Sequence, residues 1–149
     1  MTTTHQNSSI FVFDFGGQYT HLIANRIRRA GAYSEIVHND ISAEELKAKN
    51  PAGIILSGGP HSVFNSEAPQ VDPEIFELGI PVLGICYGHQ LVAKNFGGEI
   101  KNADTEEFGK AKLSINSDVS AGNASLCSLL DNIPDNSIMW MNHGDEVIK

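Results

Sequence analysis

The stretch Pro81-Val-Leu-Gly-Ile-Cys-Tyr-Gly-His-Gln90 reads as strand, sharp turn and helix. An apolar run enters a Gly-x-Cys-x-Gly turn at Gly84, Cys86 and Gly88, and a helical pattern follows from His89 to Phe96. A nucleophile on such a turn is held in a strained conformation with its side chain out at the top of a sheet. The glycines are needed because a Cβ on either side would collide across the tight crossing. Cys86 also stands where the next helix begins, so backbone N–H groups and the helix dipole favour its thiolate. This makes Cys86 a candidate catalytic nucleophile; the competing view is a small hydrophobe at a strand end, the usual fate of a free cysteine.

Outward from this elbow the chain alternates strand and helix. Ile10–Phe15 is an apolar first strand broken by Gly16-Gly17. Gln18–Ala30 carries Leu22, Ile23, Ile27 and Ala30 at helical spacing and stops at Gly31. Ser34–His38 is a second strand. Ser42 and Glu45 form a capping box for a helix ending at Asn50-Pro51. Ala52–Ser57 is a third buried strand that runs into Gly58-Gly59-Pro60, and Val71–Gly79 is a further helix. Apolar strands alternating with helices predict an α/β fold, an open, mostly parallel sheet with helices on both faces. Such sheets bind ligands beyond the carboxyl ends of their strands. The loops Gly16–Tyr19, Ser57–Pro60 and Cys86–Gly88 lie at such ends and are expected to converge.

After Gly98 the pattern changes. Glu99–Ala103 and Lys110–Asn116 are expected as strands around an acidic turn, 104–107. Ser117–Ser125 reads as a loop, and Leu126–Leu130 as a helical turn. Ser137–Met141 is another apolar run with the polar cluster Asn142-His143-Gly144-Asp145 at its end. Met1–Ser9 reads as a loose tail, leaving residues 10–149 as one domain.

Composition narrows the partners. The 149 residues are 41% hydrophobic and carry a formal net charge of −8, which argues against nucleic acid or an anionic membrane as a main partner. Arg26, Arg28 and Arg29 read as a solvated helix face. Cys86 and Cys127 show neither metal-ligand nor disulfide spacing. With no signal peptide and no long apolar span, they predict a reducing cytoplasm. No metal is expected.

A thiolate that attacks a carbonyl needs donors for the developing oxyanion. The residue after an elbow nucleophile supplies one N–H, here Tyr87. Gly58-Gly59, where the backbone can approach closely, is the expected source of a second; a phosphate cradle or a plain tight turn are the alternatives for that loop. The base is harder to find. His5 lies in the tail, His21 and His38 fall on ordinary helix and strand patterns, and His89 points away from the thiol. His143 is the internal candidate with workable geometry, but a His in an Asn-His-Gly-Asp turn more often shapes the loop or contacts substrate, so the residues give a nucleophile and half of an oxyanion hole without a convincing base.

Five motifs then carry a resemblance: Asp14-Phe-Gly-Gly-Gln-Tyr19; Ser57-Gly-Gly-Pro60 with Ser62-Val63; Gly84-Ile-Cys-Tyr-Gly88 with Gln90; Glu107-Phe-Gly-Lys-Ala111; and Trp140-Met-Asn-His-Gly-Asp145. In this order they resemble the class I glutamine amidotransferase domain of GMP synthases, with its flavodoxin-like sheet. The resemblance implies that Cys86 attacks the side-chain amide of glutamine, forms a γ-glutamyl thioester and releases ammonia. It further implies that Gly59 and Tyr87 donate to the oxyanion. Gly58, Gln90, Asn142, His143, Gly144 and Asp145 would bind the glutamine. The partner would be an ATP-pyrophosphatase (synthetase) domain or subunit that aminates XMP to GMP and handles ATP and Mg2+; this chain itself would hold no cofactor.

The chain departs from the family pattern in three ways. The Phe-His-Pro-Glu type motif that carries the family's catalytic His and Glu does not occur. His89 stands where an apolar residue is frequent, and Asn142 where Ser is frequent. The implied domain is incomplete at its C-terminus, with an open sheet edge that allows homo-oligomers, and its sustained turnover alone is expected to be little or none. Two other classes stay open: a non-catalytic glutamine-binding or regulatory module, and a different elbow-type cysteine hydrolase using His143 as base.

Overall fold

The computed structural model describes residues 9–115 and 130–148, without the side chains of 103–108 and 142–143. The tail to residue 8, the loop 117–125, Cys127 and most of the turn expected at 126–130 lie outside those residues. The chain divides into two units, Met1–Asn102 with Asp145–Lys149, and Ala103–Gly144.

In the first unit the apolar runs form the strands. β1 (Ser9–Asp14), β2 (Tyr33–His38), β3 (Gly53–Leu56) and β4 (Val82–Gly84) make one parallel sheet in the order β2-β1-β3-β4. Side chains alternate between its faces. Phe11, Phe13, Ile54 and Leu56 point into a core closed by Ala43 and Leu46 of α2 (Ala43–Lys49) and Leu91 of α3 (Tyr87–Asn95), with Ile75 from a short 3-10 helix at Pro73–Glu77. Val12 points the other way, on the side of α1 (Thr20–Arg29), where Ser34 Oγ donates to Ala24 O at 2.8 Å. Helices thus cover both faces, as an all-parallel sheet requires.

Several local expectations are met by the predicted devices. Ser42 and Glu45 form the full capping box of α2, and Asn50 closes that helix at φ 49°. Others need correction. Thr20 and Ala24 are the residues α1 buries, and Leu22 is 48% exposed. Two residues are about 200° of helical rotation, so Leu22 falls opposite Thr20. The helix expected over Val71–Gly79 is the five-residue 3-10 turn Pro73–Glu77, begun by Asp72, whose carboxylate also accepts from Ala43 N at 2.8 Å. A carboxylate shared with α2 anchors this segment without a longer helix.

β5 (Ile100–Lys112) and β6 (Ile138–Val147) form a separate two-stranded sheet. The acidic run 104–107 is therefore strand and not turn, and residues 142–145 lie inside a strand and not beyond its end. Pairing with β6 supplies backbone partners, which outweighs the weak strand preference of Asp, Glu and Asn. In the second unit Leu113 N donates to Ser137 O at 2.8 Å; in the first, Ile148 N donates to Glu99 O at 2.9 Å. No helix among the described residues is long and apolar enough to cross a membrane.

Candidate active site

β4 ends at Gly84 and α3 starts at Tyr87, leaving two residues for the reversal. Cys86 is the residue before the helix and sits at φ 50°, ψ −115°, a region costly for any residue with a Cβ. The flanking glycines are forced by space. A Cβ on Gly84 would stand 2.6 Å from His89 Cα, and one on Gly88 would stand 2.1 Å from Leu56 O. The thiol is exposed, while Tyr87, Gly88 and Gln90 turn inward.

Three loops meet around Cys86. A Cβ on Gly58 would lie 3.4 Å from Cys86 Cβ and 4.0 Å from its Sγ, so this loop passes close beside the elbow. A Cβ on Gly59 would lie 2.6 Å from Phe15 O, and one on Gly17 would lie 2.2 Å from Gly58 O. The turn after β1 therefore packs backbone to backbone against the loop after β3. Gly88 N donates to Ser57 O at 3.1 Å and Ile85 N to Leu56 O at 2.9 Å, tying the elbow to that same loop.

Tyr87 is locked by its side chain. It is 2% exposed, its ring meets Phe15 edge-on at 5.3 Å, and its hydroxyl donates to Pro69 O at 2.6 Å. Burial pushes the phenol's pKa up, and the Gln70 side chain pulls the other way. Gln90 is buried, and its Nε2 donates to Asp145 O at 3.2 Å. Ser62 Oγ donates to Asp145 Oδ2 at 2.6 Å. Asp145 is thus held within the first unit by two of the quoted motifs.

The remaining predicted site residues distribute differently. Asn142, His143 and Gly144 belong to the second unit, and the side chains of Asn142 and His143 lie outside the described residues. His89 is exposed on α3, and the His61 ring stands 6.4 Å from that of Tyr87. Among the described residues no group of three or more potential ligands could hold a metal ion.

Sequence reasoning passed over Asp14 and Thr20. Asp14 Oδ1 accepts from Gly16 N at 2.9 Å and from Thr20 Oγ1 at 3.2 Å. An aspartate closing an apolar strand, with glycine two residues on, is the sign of a side chain that organises its own turn.

A parallel sheet with a strained cysteine at a strand-to-helix turn, and a glycine loop beside it, defines an α/β fold of the strand-elbow-helix type. Residues 11–149 match the family model "Glutamine amidotransferase class-I", and the chain belongs to that family. It is 49% identical over 142 residues to GMP synthase [glutamine-hydrolyzing] of Bacillus cytotoxicus, covering 95% of this chain and 26% of that one. To the Chlorobaculum tepidum protein of the same name it is 51% identical over 139 residues, covering 93% and 26%. The crystal structure of a GMP synthase subunit from Thermoplasma acidophilum superposes with a TM-score of 0.70 at 35% identity, over 97% of this chain and 68% of that one. The chain spans about a quarter of the length of the curated relatives it matches.

Proposed function

We propose that this chain is the glutamine-hydrolysing part of a GMP synthase. The Cys86 thiolate attacks the side-chain amide carbon of glutamine; a C–S bond forms and the carbonyl π pair moves onto oxygen. The Tyr87 and Gly59 N–H groups receive that oxyanion. Collapse expels the nitrogen, which takes up a proton from water and leaves as ammonia; hydroxide or water then cleaves the thioester C–S bond, giving glutamate and regenerating the Cys86 thiolate. Gly58 lines the pocket beside the thiol, while Gln90 and Asp145 hold the α-amino and α-carboxylate groups. The supporting observation is the exposed thiol of Cys86 on a strained strand-to-helix turn, with Gly58 so near that a Cβ there would stand 4.0 Å from Sγ.

Ammonia would pass to a synthetase partner that aminates XMP to GMP. ATP and Mg2+ would belong to that partner. The 149 residues supply a nucleophile without the family's His-Glu motif, so the chain alone is expected to release little ammonia at steady state.

A chloroketone analogue of glutamine tests the proposal. It should modify Cys86 covalently, free glutamine should protect, and Cys86→Ala should abolish labelling. Labelling indifferent to glutamine, or steady ammonia release from the chain alone that Cys86→Ala abolishes, would each refute the corresponding half.

A further inference from the structure

The loop carrying Gly58-Gly59 is held by a buried hydroxyl pair that reaches back to the first strand. Ser57 and Thr20 are 1% and 2% exposed, and both are polar. A buried hydroxyl is costly unless hydrogen-bonded, so an ordinary glycine turn would put an apolar residue there. Here each hydroxyl has partners. Ser57 Oγ donates to Phe13 O at 2.6 Å and lies 3.3 Å from Thr20 Oγ1. Thr20 Oγ1 in turn lies 3.2 Å from both Asp14 Oδ1 and Gly17 O.

The register explains what Ser57 does. The β1–β3 ladder runs from Ile10↔Gly53 to Phe13↔Leu56. One residue on, Ser57 N reaches Phe13 O only at 3.4 Å, and Ser57 Oγ reaches the same oxygen at 2.6 Å. The side chain shares the last ladder acceptor and makes the shorter bond to it. Ser57 is thereby pinned to β1 just where the backbone must turn past Cys86, while Ser57 O accepts from Gly88 N of the elbow.

We infer that Ser57, braced by Thr20 and Asp14, is a positioning residue that aims the Gly58-Gly59 backbone at the carbonyl oxygen of the substrate. The inference rests on the assignment of Cys86 as a glutamine-attacking thiol. The Ser57 hydroxyl is engaged by Phe13 O and Thr20 Oγ1, so it acts through the backbone of its loop. Its contribution is to make Gly59 N–H and Tyr87 N–H converge, and that geometry counts only when an oxyanion forms.

Two electrophiles separate this role from general support of the fold. The glutamine chloroketone presents a carbonyl on which negative charge develops, whereas iodoacetamide is displaced at carbon and forms no oxyanion. In the full 149-residue chain, Ser57→Ala should slow chloroketone labelling of Cys86 about tenfold. Iodoacetamide labelling should stay at the wild-type rate. Thr20→Val, nearly isosteric, should act in the same direction, and Thr20→Ser, which keeps the hydroxyl, should restore the rate. Should Ser57→Ala fold poorly, the Thr20 pair carries the test. Wild-type labelling that glutamine does not protect overturns the thiol assignment and this role with it. Protected wild-type labelling with unchanged chloroketone rates in both variants overturns this role alone. Equal slowing toward both electrophiles also overturns it.

Discussion

Replacing Cys86 by glycine should make the protein more stable than replacing it by alanine, the reverse of the usual order. Cys86 holds φ 50° and ψ −115°. A residue with a Cβ pays about 1–3 kcal/mol in such a conformation. Alanine keeps that Cβ and therefore the strain. Because the thiol is exposed, its removal forfeits little burial. Glycine adopts these angles freely, although its greater freedom in the unfolded chain costs about 0.5–1 kcal/mol. The difference leaves Cys86→Gly ahead of Cys86→Ala by about 1 kcal/mol, which for a chain of this length is about 2–4 °C in Tm. Urea denaturation of both variants, followed by circular dichroism, measures it directly. If Cys86→Ala proves as stable as Cys86→Gly or more so, the turn is not strained, and the backbone account of why the thiol stands out from the sheet fails.

Gly88→Ala places a Cβ 2.1 Å from Leu56 O in a fully packed turn, so backbone must move. A loss of about 3 kcal/mol is expected, read as a lowered urea midpoint, and a midpoint equal to wild type would contradict it. Tyr87→Phe removes the 2.6 Å bond to Pro69 O and should cost about 1–2 kcal/mol at neutral pH. The folded phenol pKa is raised by burial, so stability from the neutral form is fully present below the ordinary phenol value of about 10 and is lost as pH climbs through the higher folded value. Wild type should therefore weaken on that alkaline limb more than Tyr87→Phe; parallel limbs in pH-dependent melts would exclude Tyr87 as the cause.

Much of this molecule could be read from local order along the chain. Apolar runs such as Ile10–Phe13 and Ile54–Leu56 mark buried parallel strands because neither face can carry charge. Ser42 with Glu45 marks a helix start because the two side chains satisfy orphan N–H groups within four residues. Gly84-x-Cys86-x-Gly88 marks the elbow because the collisions its glycines avoid lie close by in sequence or on the adjacent strand. Reading failed where the deciding partner was distant. The acidic run 104–107 resembles a turn until β6 pairs with it, and Leu22 resembles a core residue until α1 settles on Thr20 and Ala24. Above all, only tertiary structure brings Gly17, Gly58 and Cys86 together, and only there does the Ser57 hydroxyl reach Phe13 O, 44 residues away. Sequence by itself determined that a cysteine would be presented at a strand-to-helix turn, because that depends on short-range sterics. What surrounds the thiol was decided by strand order, because parallel strands joined by helices place the ends of separate segments side by side.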